Sequence, residues 1–288
     1  INTSGDVHRS GPVASLGQQG VFTKEIQNAL LSGDVDVAVH SLKDLPTLSI
    51  DGLQLAATPT RENPADSLVT PGGEPLAALP AGARVGTGSP RRQAQLRNLR
   101  PDLRVLGIRG NVDTRLRKLD DGQYDAIVLA LAGLSRLGWI DRVGELLEPP
   151  RMLPAPGQGA LGIECRGDDA TTLRLLQQLD DQQTRQATLA ERTLLAELEG
   201  GCSAPIAAWG RFDGERLLLD ALVADMSGAR VLRSQASGTA SSALASNDPP
   251  PNYVFLLNSR TVLVYFVGIW AKNSKKDKIC LDKGDQFS

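Results

Sequence analysis

Short apolar runs of strand length alternate with segments of helical period along the first half of this chain, and that alternation restricts it to an α/β fold. Residues 20–31 place Phe22, Ile26, Ala29 and Leu30 on one helical face. Residues 36–40 then read as a short buried strand and 84–87 as another, followed by a helix over 90–99. A strand over 104–108, a helix over 112–119, a strand over 124–129 and a short helix around Leu134 continue the series. Largely parallel strands are expected, because strand–helix–strand crossovers align successive strands.

Two connections interrupt the series: Thr58-Pro59-Thr60-Arg61-Glu62-Asn63-Pro64 and Leu153-Pro154-Ala155-Pro156-Gly157-Gln158-Gly159. Both are rich in proline or glycine and flank the middle stretch. A chain that crosses out and back builds two lobes with a hinge and a cleft. At 288 residues it also exceeds one ordinary core. The expectation is a first α/β domain from residues 1–59 and 160–178, and a second, anion-binding one from 65–153. A mostly helical 171–198 then leads into a smaller α+β domain over 182–243. From about Leu244 the composition shifts: three lysines precede residue 271 and five follow it, and six of eleven aromatics lie beyond residue 250. Residues 244–288 are therefore set apart as a divergent tail, read as frameshifted or chimeric, or else as a divergent hairpin through 254–257 and 262–267.

Net charge is −2 and no apolar run of about 18 uncharged residues occurs, so neither bulk attraction to nucleic acid nor a membrane role is expected. Cys165, Cys202 and Cys280 lie far apart without metal-ligand or CxxC spacing, which predicts neither a disulfide framework nor a metal site and suits a reducing cytoplasm. The opening Ile1-Asn2-Thr3 carries no leader and reads as a cut start.

The charge is unevenly spread. Between Arg84 and Lys118 stand nine arginines and one lysine against Asp102 and Asp113. Ser89-Pro90-Arg91-Arg92 follows a strand, with Ser89 as N-cap and Pro90 as first helical residue, an arrangement that aims free N–H groups and guanidinium forks at an anion. Arg109-Gly110-Asn111 repeats it at the next strand end, with Arg115 about one turn into the following helix. The arrangement favours ligand contact for Arg91, Arg92 and Arg109, while Arg97, Arg100, Arg104 and Arg117 read as solvated outer faces. No aromatic lies in this stretch to stack a base, which disfavours nucleic acid. Val39-His40-Ser41-Leu42-Lys43-Asp44-Leu45-Pro46 ends a buried strand with a cation beside an acid. Asp44 can be a turn former or a carboxylate that offsets cationic intermediates, and spacing leaves both open. His40 reads as a buried, hydrogen-bonded histidine and Cys165 as structural. Composition alone does not decide whether Cys202, in its glycine-flanked loop, is reactive.

Taken in order, Val39-His40-Ser41-Leu42-Lys43-Asp44, Gly86-Thr87-Gly88-Ser89-Pro90-Arg91-Arg92-Gln93, Ile108-Arg109-Gly110-Asn111-Val112, Pro156-Gly157-Gln158-Gly159-Ala160 and Glu199-Gly200-Gly201-Cys202 resemble the signature of the hydroxymethylbilane synthase (porphobilinogen deaminase) family. The resemblance runs from about Asn2 to about Ala243. It implies two hinged lobes like those of periplasmic binding proteins plus a smaller C-terminal domain. It also implies a transferase of tetrapyrrole (haem) biosynthesis that joins four porphobilinogen molecules, with loss of ammonia, on a dipyrromethane cofactor held as a thioether by Cys202. By that resemblance Asp44 is catalytic. Lys43, Thr87, Ser89, Arg91, Arg92, Arg109 and Gln158 would bind the cofactor, and Arg115, Arg136 and Phe22 the substrate. No metal is implied, and the partners are porphobilinogen and the growing pyrrole chain, on a cytoplasmic monomer.

The sequence departs from the family's pattern at its start, which lacks a first strand and helix, at Ser15 and Gln19 where lysines are common, and after Ala243. Those departures point toward impaired activity. The rival readings are a non-catalytic two-lobed anion binder of the same descent and a nucleic-acid binder using the Arg84 to Lys118 stretch.

Overall fold

The computed structural model describes residues 21–198 and 204–239, without the side chains of Val21, Phe22 and Thr239. The Cys202 loop, Ser15, Gln19 and the tail from 244 lie outside the described residues. Helix α1 (Val21–Ser32) packs over strand β1 (Ala38–Ser41), which ends in a single 3-10 turn, Leu42–Asp44, and β2 (Leu53–Ala57) follows. After the first crossing come β3 (Asp66–Val69), β4 (Arg84–Gly86), α2 (Pro90–Leu99), β5 (Arg104–Leu106), α3 (Val112–Asp120), β6 (Ala126–Ala130), α4 (Leu131–Arg136) and β7 (Glu145–Leu147). The second crossing leads to β8 (Leu161–Arg166), α5 (Ala170–Leu176) and the long α6 (Gln182–Glu197). A meander of β9 (Ile206–Asp213), β10 (Arg216–Ala224) and β11 (Val231–Thr239) follows.

Three sheets result, ordered β1-β8-β2, β5-β4-β6-β3-β7 and β11-β10-β9. The expectation of largely parallel strands needs correcting. Among the described residues only β4 with β5 and β4 with β6 pair in parallel; β8 runs against β1 and β2, and β3 against β6 and β7. The reversed strand in each lobe is the one that arrives from the other lobe. It enters at the end where the remaining strands finish and so must run against them. That same geometry puts the crossings, the turn after β1 and the loops after β4, β5 and β6 along one seam, where ligands of open α/β sheets lie.

The middle sheet is buried on both faces. Leu68, Leu76, Val85, Leu96, Val128, Leu147 and Met152 form one layer, and Val69, Ile108, Leu116, Leu119, Ile127 and Leu134 the other. The C-terminal meander packs its own face, with Leu217, Leu219 and Ala208, against Ala187, Ala190 and Leu194 of α6. A smaller cluster of Ala94, Leu153, Ala207, Leu222 and Ala224 joins that meander to α2.

Helix α1 differs in detail from its sequence reading. Its inward face carries buried Thr23 and Gln27 besides Leu30, because buried Glu164 of β8 needs a donor and Gln27 Nε2 supplies one at 2.9 Å. His40 is buried, as expected, with Nε2 3.0 Å from the same carboxylate. Cys165 is fully buried, which pushes its thiol pKa up.

Candidate functional site

Lobe 2 contributes the N-terminus of α2. Ser89 caps it, its Oγ accepting from Arg92 N at 3.5 Å, and Pro90 occupies the first turn. Thr87, fully buried, accepts from Ser89 N through Oγ1 at 3.2 Å and from Gln93 Nε2 through its carbonyl, which fixes the turn before the helix.

Arg91 and Arg92 depart from the outward-facing forks that the sequence suggested. Both are buried, and both turn inward onto Asp66, the first residue of β3. Arg91 Nη1 reaches Asp66 Oδ2 at 2.6 Å and Leu153 O at 2.7 Å. Arg92 donates through Nε to Asp66 Oδ1 at 3.0 Å and through Nη1 to Val128 O at 3.0 Å. The reason is electrostatic: a carboxylate in a fully buried strand end must be paired or neutralised. Burial alone would raise the Asp66 carboxyl, but the two guanidiniums outweigh it and hold its pKa below the usual carboxylate range. Gln158, from the second crossing, completes the cluster. Its Nε2 donates to Asp66 Oδ1 and Pro64 O, both at 2.7 Å, and its Oε1 lies 3.5 Å from both Arg92 Nη2 and Lys43 Nζ. One buried network thus joins both crossings to α2.

Lys43 and Asp44 sit at the mouth of this network, on the 3-10 turn after β1. Asp44 is exposed and Lys43 half-buried. Burial, reinforced by Arg92, lowers the Lys43 ammonium to about 8. Arg115 on α3 is held by its Nε at 2.7 Å from Gly110 O. Burial and then Arg92 lower its pKa, while Asp44 raises it, which places the three groups within one field. Arg109 is exposed at the loop before α3, and its carbonyl accepts from Lys118 Nζ at 3.1 Å. Arg136, exposed at the end of α4, donates to Gly159 O at 2.7 Å and so marks the seam from the other side. Cys202 and the Phe22 side chain lie outside the described residues.

The solvated reading of Arg97 and Arg100 is corrected. Arg97 donates to Met226 O of the meander, while Arg100 binds Leu76 O, Leu79 O and Asp102. Both donate to backbone carbonyls and so tie α2 to neighbouring segments. Arg104 and Arg117 are exposed.

Sequence reasoning passed over Asp66, Arg61, Glu191 and Arg192. Fully buried Glu191 takes Arg61 Nη1 at 2.6 Å and the amides of Gly157 and Gly210, both at 2.6 Å. It thereby ties both crossings to the meander. The available signal was an arginine inside a Pro-rich crossing, which has to find a carboxylate if it is buried.

Among the described residues no cluster of His, Cys, Asp or Glu could hold a metal ion, and no helix is long and apolar enough to cross a membrane. A cationic seam between two α/β lobes, with the exposed Asp44 carboxylate at its mouth and the α6-borne meander beside it, defines a two-lobed α/β protein with a basic cleft. Two family models match the chain. "Porphobilinogen deaminase, dipyromethane cofactor binding domain" matches residues 1–174, and "Porphobilinogen deaminase, C-terminal domain" matches 185–247. A porphobilinogen deaminase from Desulforudis audaxviator is 53% identical over 240 residues, 83% of this chain and 78% of that protein. One from Roseiflexus sp. (strain RS-1) is 51% identical over 241 residues, 84% and 79% of the two chains. The chain belongs to the porphobilinogen deaminase family.

Proposed function

We propose that this chain is a hydroxymethylbilane synthase, joining four porphobilinogen molecules head to tail with loss of ammonia in tetrapyrrole biosynthesis. The observation that carries the reading is the placement of one exposed carboxylate, Asp44, beside Lys43, Arg115 and the Arg92 field at the seam. Each pyrrole unit carries two carboxylates, and the deamination leaves a cation. A site for that chemistry needs fixed cations for the side chains and one anion at the reacting ring.

The residues present fit the dipyrromethane cofactor that the matching family model names. Arg91 Nε is a buried donor without an acceptor, and the α2 N-terminus presents further N–H groups beside it. We assign Cys202 as the thioether anchor. Lys43, Thr87, Ser89, Arg91, Arg92, Arg109 and Gln158 would hold or frame the cofactor's carboxylates. When bound, the cofactor supplies the nucleophilic pyrrole carbon to which new units add. Arg115, Arg136 and Phe22 are assigned to the incoming unit and the lengthening chain. Asp44 would accept a hydrogen bond from the pyrrole N–H and offset the positive charge that develops when ammonia leaves. Gln158 Oε1 accepts from Lys43 Nζ and so helps to place it, while burial and then the Arg92 charge lower the affinity of Lys43 for its proton. The same reading takes the protein as a cytoplasmic monomer without nucleic-acid or membrane partners.

Purified chain supplied with porphobilinogen should release ammonia and a linear tetrapyrrole, and Asp44→Asn should slow turnover by about a hundredfold or more. Unchanged turnover in Asp44→Asn would remove the carboxylate from the mechanism.

A further inference from the structure

The turn that presents Asp44 is held from a distant part of the chain. Arg192, on α6, donates through Nη1 to Leu42 O at 3.1 Å and to Leu45 O at 2.8 Å, and through Nη2 to Pro46 O at 2.6 Å. These three carbonyls bracket Lys43 and Asp44. Within the turn Leu45 N donates to Leu42 O at 3.3 Å, Leu42 N ties it to Ala160 O at 3.0 Å just before β8, and Leu42 and Leu45 sit in a small apolar cluster, which leaves the Asp44 end exposed. Gly157, at φ +76°, supports it from behind, where a Cβ would stand 3.2 Å from Leu42 C and Lys43 N. A planar guanidinium that collects three carbonyls of one turn fixes its backbone far better than a single contact does.

The preceding residue, Glu191, is itself locked to Arg61 and to the Gly157 and Gly210 amides. The guanidinium therefore starts from a rigid base. Helix α6 ends at Glu197, shortly before the cysteine assigned as the anchor.

We infer that Arg192 is a positioning residue: it sets the place of the Asp44 carboxylate from the helix that leads to Cys202, acting through the turn's backbone. The domain bearing the anchor thus also fixes the carboxylate that serves the chain attached to it. This inference rests on the proposed role of Asp44. Nearby Arg185 supplies the contrast. It also bridges α6 to lobe 1, binding Asp180 Oδ2 at 2.6 Å and Ala56 O at 2.9 Å, yet it touches nothing in the turn.

The test compares wild type, Arg192→Ala, Arg192→Lys and Arg185→Ala as full chains, by amide hydrogen exchange over residues 42–46, thermal unfolding and steady-state kinetics with porphobilinogen. Arg192→Ala should speed exchange in the turn about tenfold and lower kcat about tenfold with KM within about twofold. Added guanidinium ion should restore part of kcat, and Arg192→Lys should fall between the two. Arg185→Ala should lower the unfolding temperature and leave both turn exchange and kcat unchanged. Unaltered exchange in Arg192→Ala would overturn the inference, as would equal loss of kcat in the Arg185 and Arg192 variants. If Arg192→Ala does not accumulate folded, Arg192→Lys carries the same readings against Arg185→Ala. A wild type without turnover would count against the proposed function instead, and the exchange comparison would still decide the role of Arg192.

Discussion

The arginines of lobe 2 fall into two groups that look alike in sequence and differ in physics. Arg91 and Arg92 are buried and share the one Asp66 carboxylate, whereas Arg109 and Arg136 are exposed and Arg115 half-exposed at the rim. The buried group organises: it fixes α2, the entry of β3 and, through Gln158, the second crossing. The rim group lies open to solvent, within reach of a ligand. A polyanion site therefore needs a carboxylate in its foundation beneath a solvated cationic surface, since cations without a counter-charge cannot be stacked in a dry interior.

Asp66→Asn strikes the foundation and should give the largest effect. It leaves two guanidiniums buried against a neutral amide, and loss of about 3–5 kcal/mol is expected in denaturant unfolding. Stability equal to wild type would erase the distinction between the two groups. At the rim, Arg115→Ala should leave stability within about 0.5 kcal/mol while raising KM for porphobilinogen about tenfold or more, the equivalent of one lost charge-assisted hydrogen bond.

Lys43 lies between the groups and responds to pH. With its folded value lowered to about 8 from 10.5, its cation is lost at the site as pH rises through about 8, and KM should climb there. Lys43→Arg should abolish that limb. The sign for stability is opposite: the unfolded chain binds this proton more tightly between about 8 and about 10.5, so the Lys43 contribution to stability rises with pH across that window. The smallest change is Ser89→Ala, which removes the α2 cap and should cost about 1 kcal/mol by thermal unfolding.

Much of this was legible in the sequence. Helix Pro90–Leu99 appears with the bounds read from the sequence, because its N-cap serine and first-turn proline agree with the packing. Strand direction was not legible. β3 and β8 look like any short apolar strand, and their reversal follows from the double crossing, a property of the whole chain. At the site, Lys43, Asp44, Arg115 and Gln158 lie within one network and field, although spacing alone left Asp44 open and only the family resemblance singled out Gln158. Inward orientation of Arg91 and Arg92 could not be read, because the partner that turns them, Asp66, lies 25 and 26 residues away with no motif of its own. Arg192 likewise acts across about 150 residues of chain.

The most direct measurement of the central claim is the intact mass of the purified protein. The account predicts that wild type carries an increment of two pyrrole units, and that Cys202→Ser has the bare mass of its chain. An unmodified wild type, or a Cys202→Ser protein that keeps the increment, would contradict it.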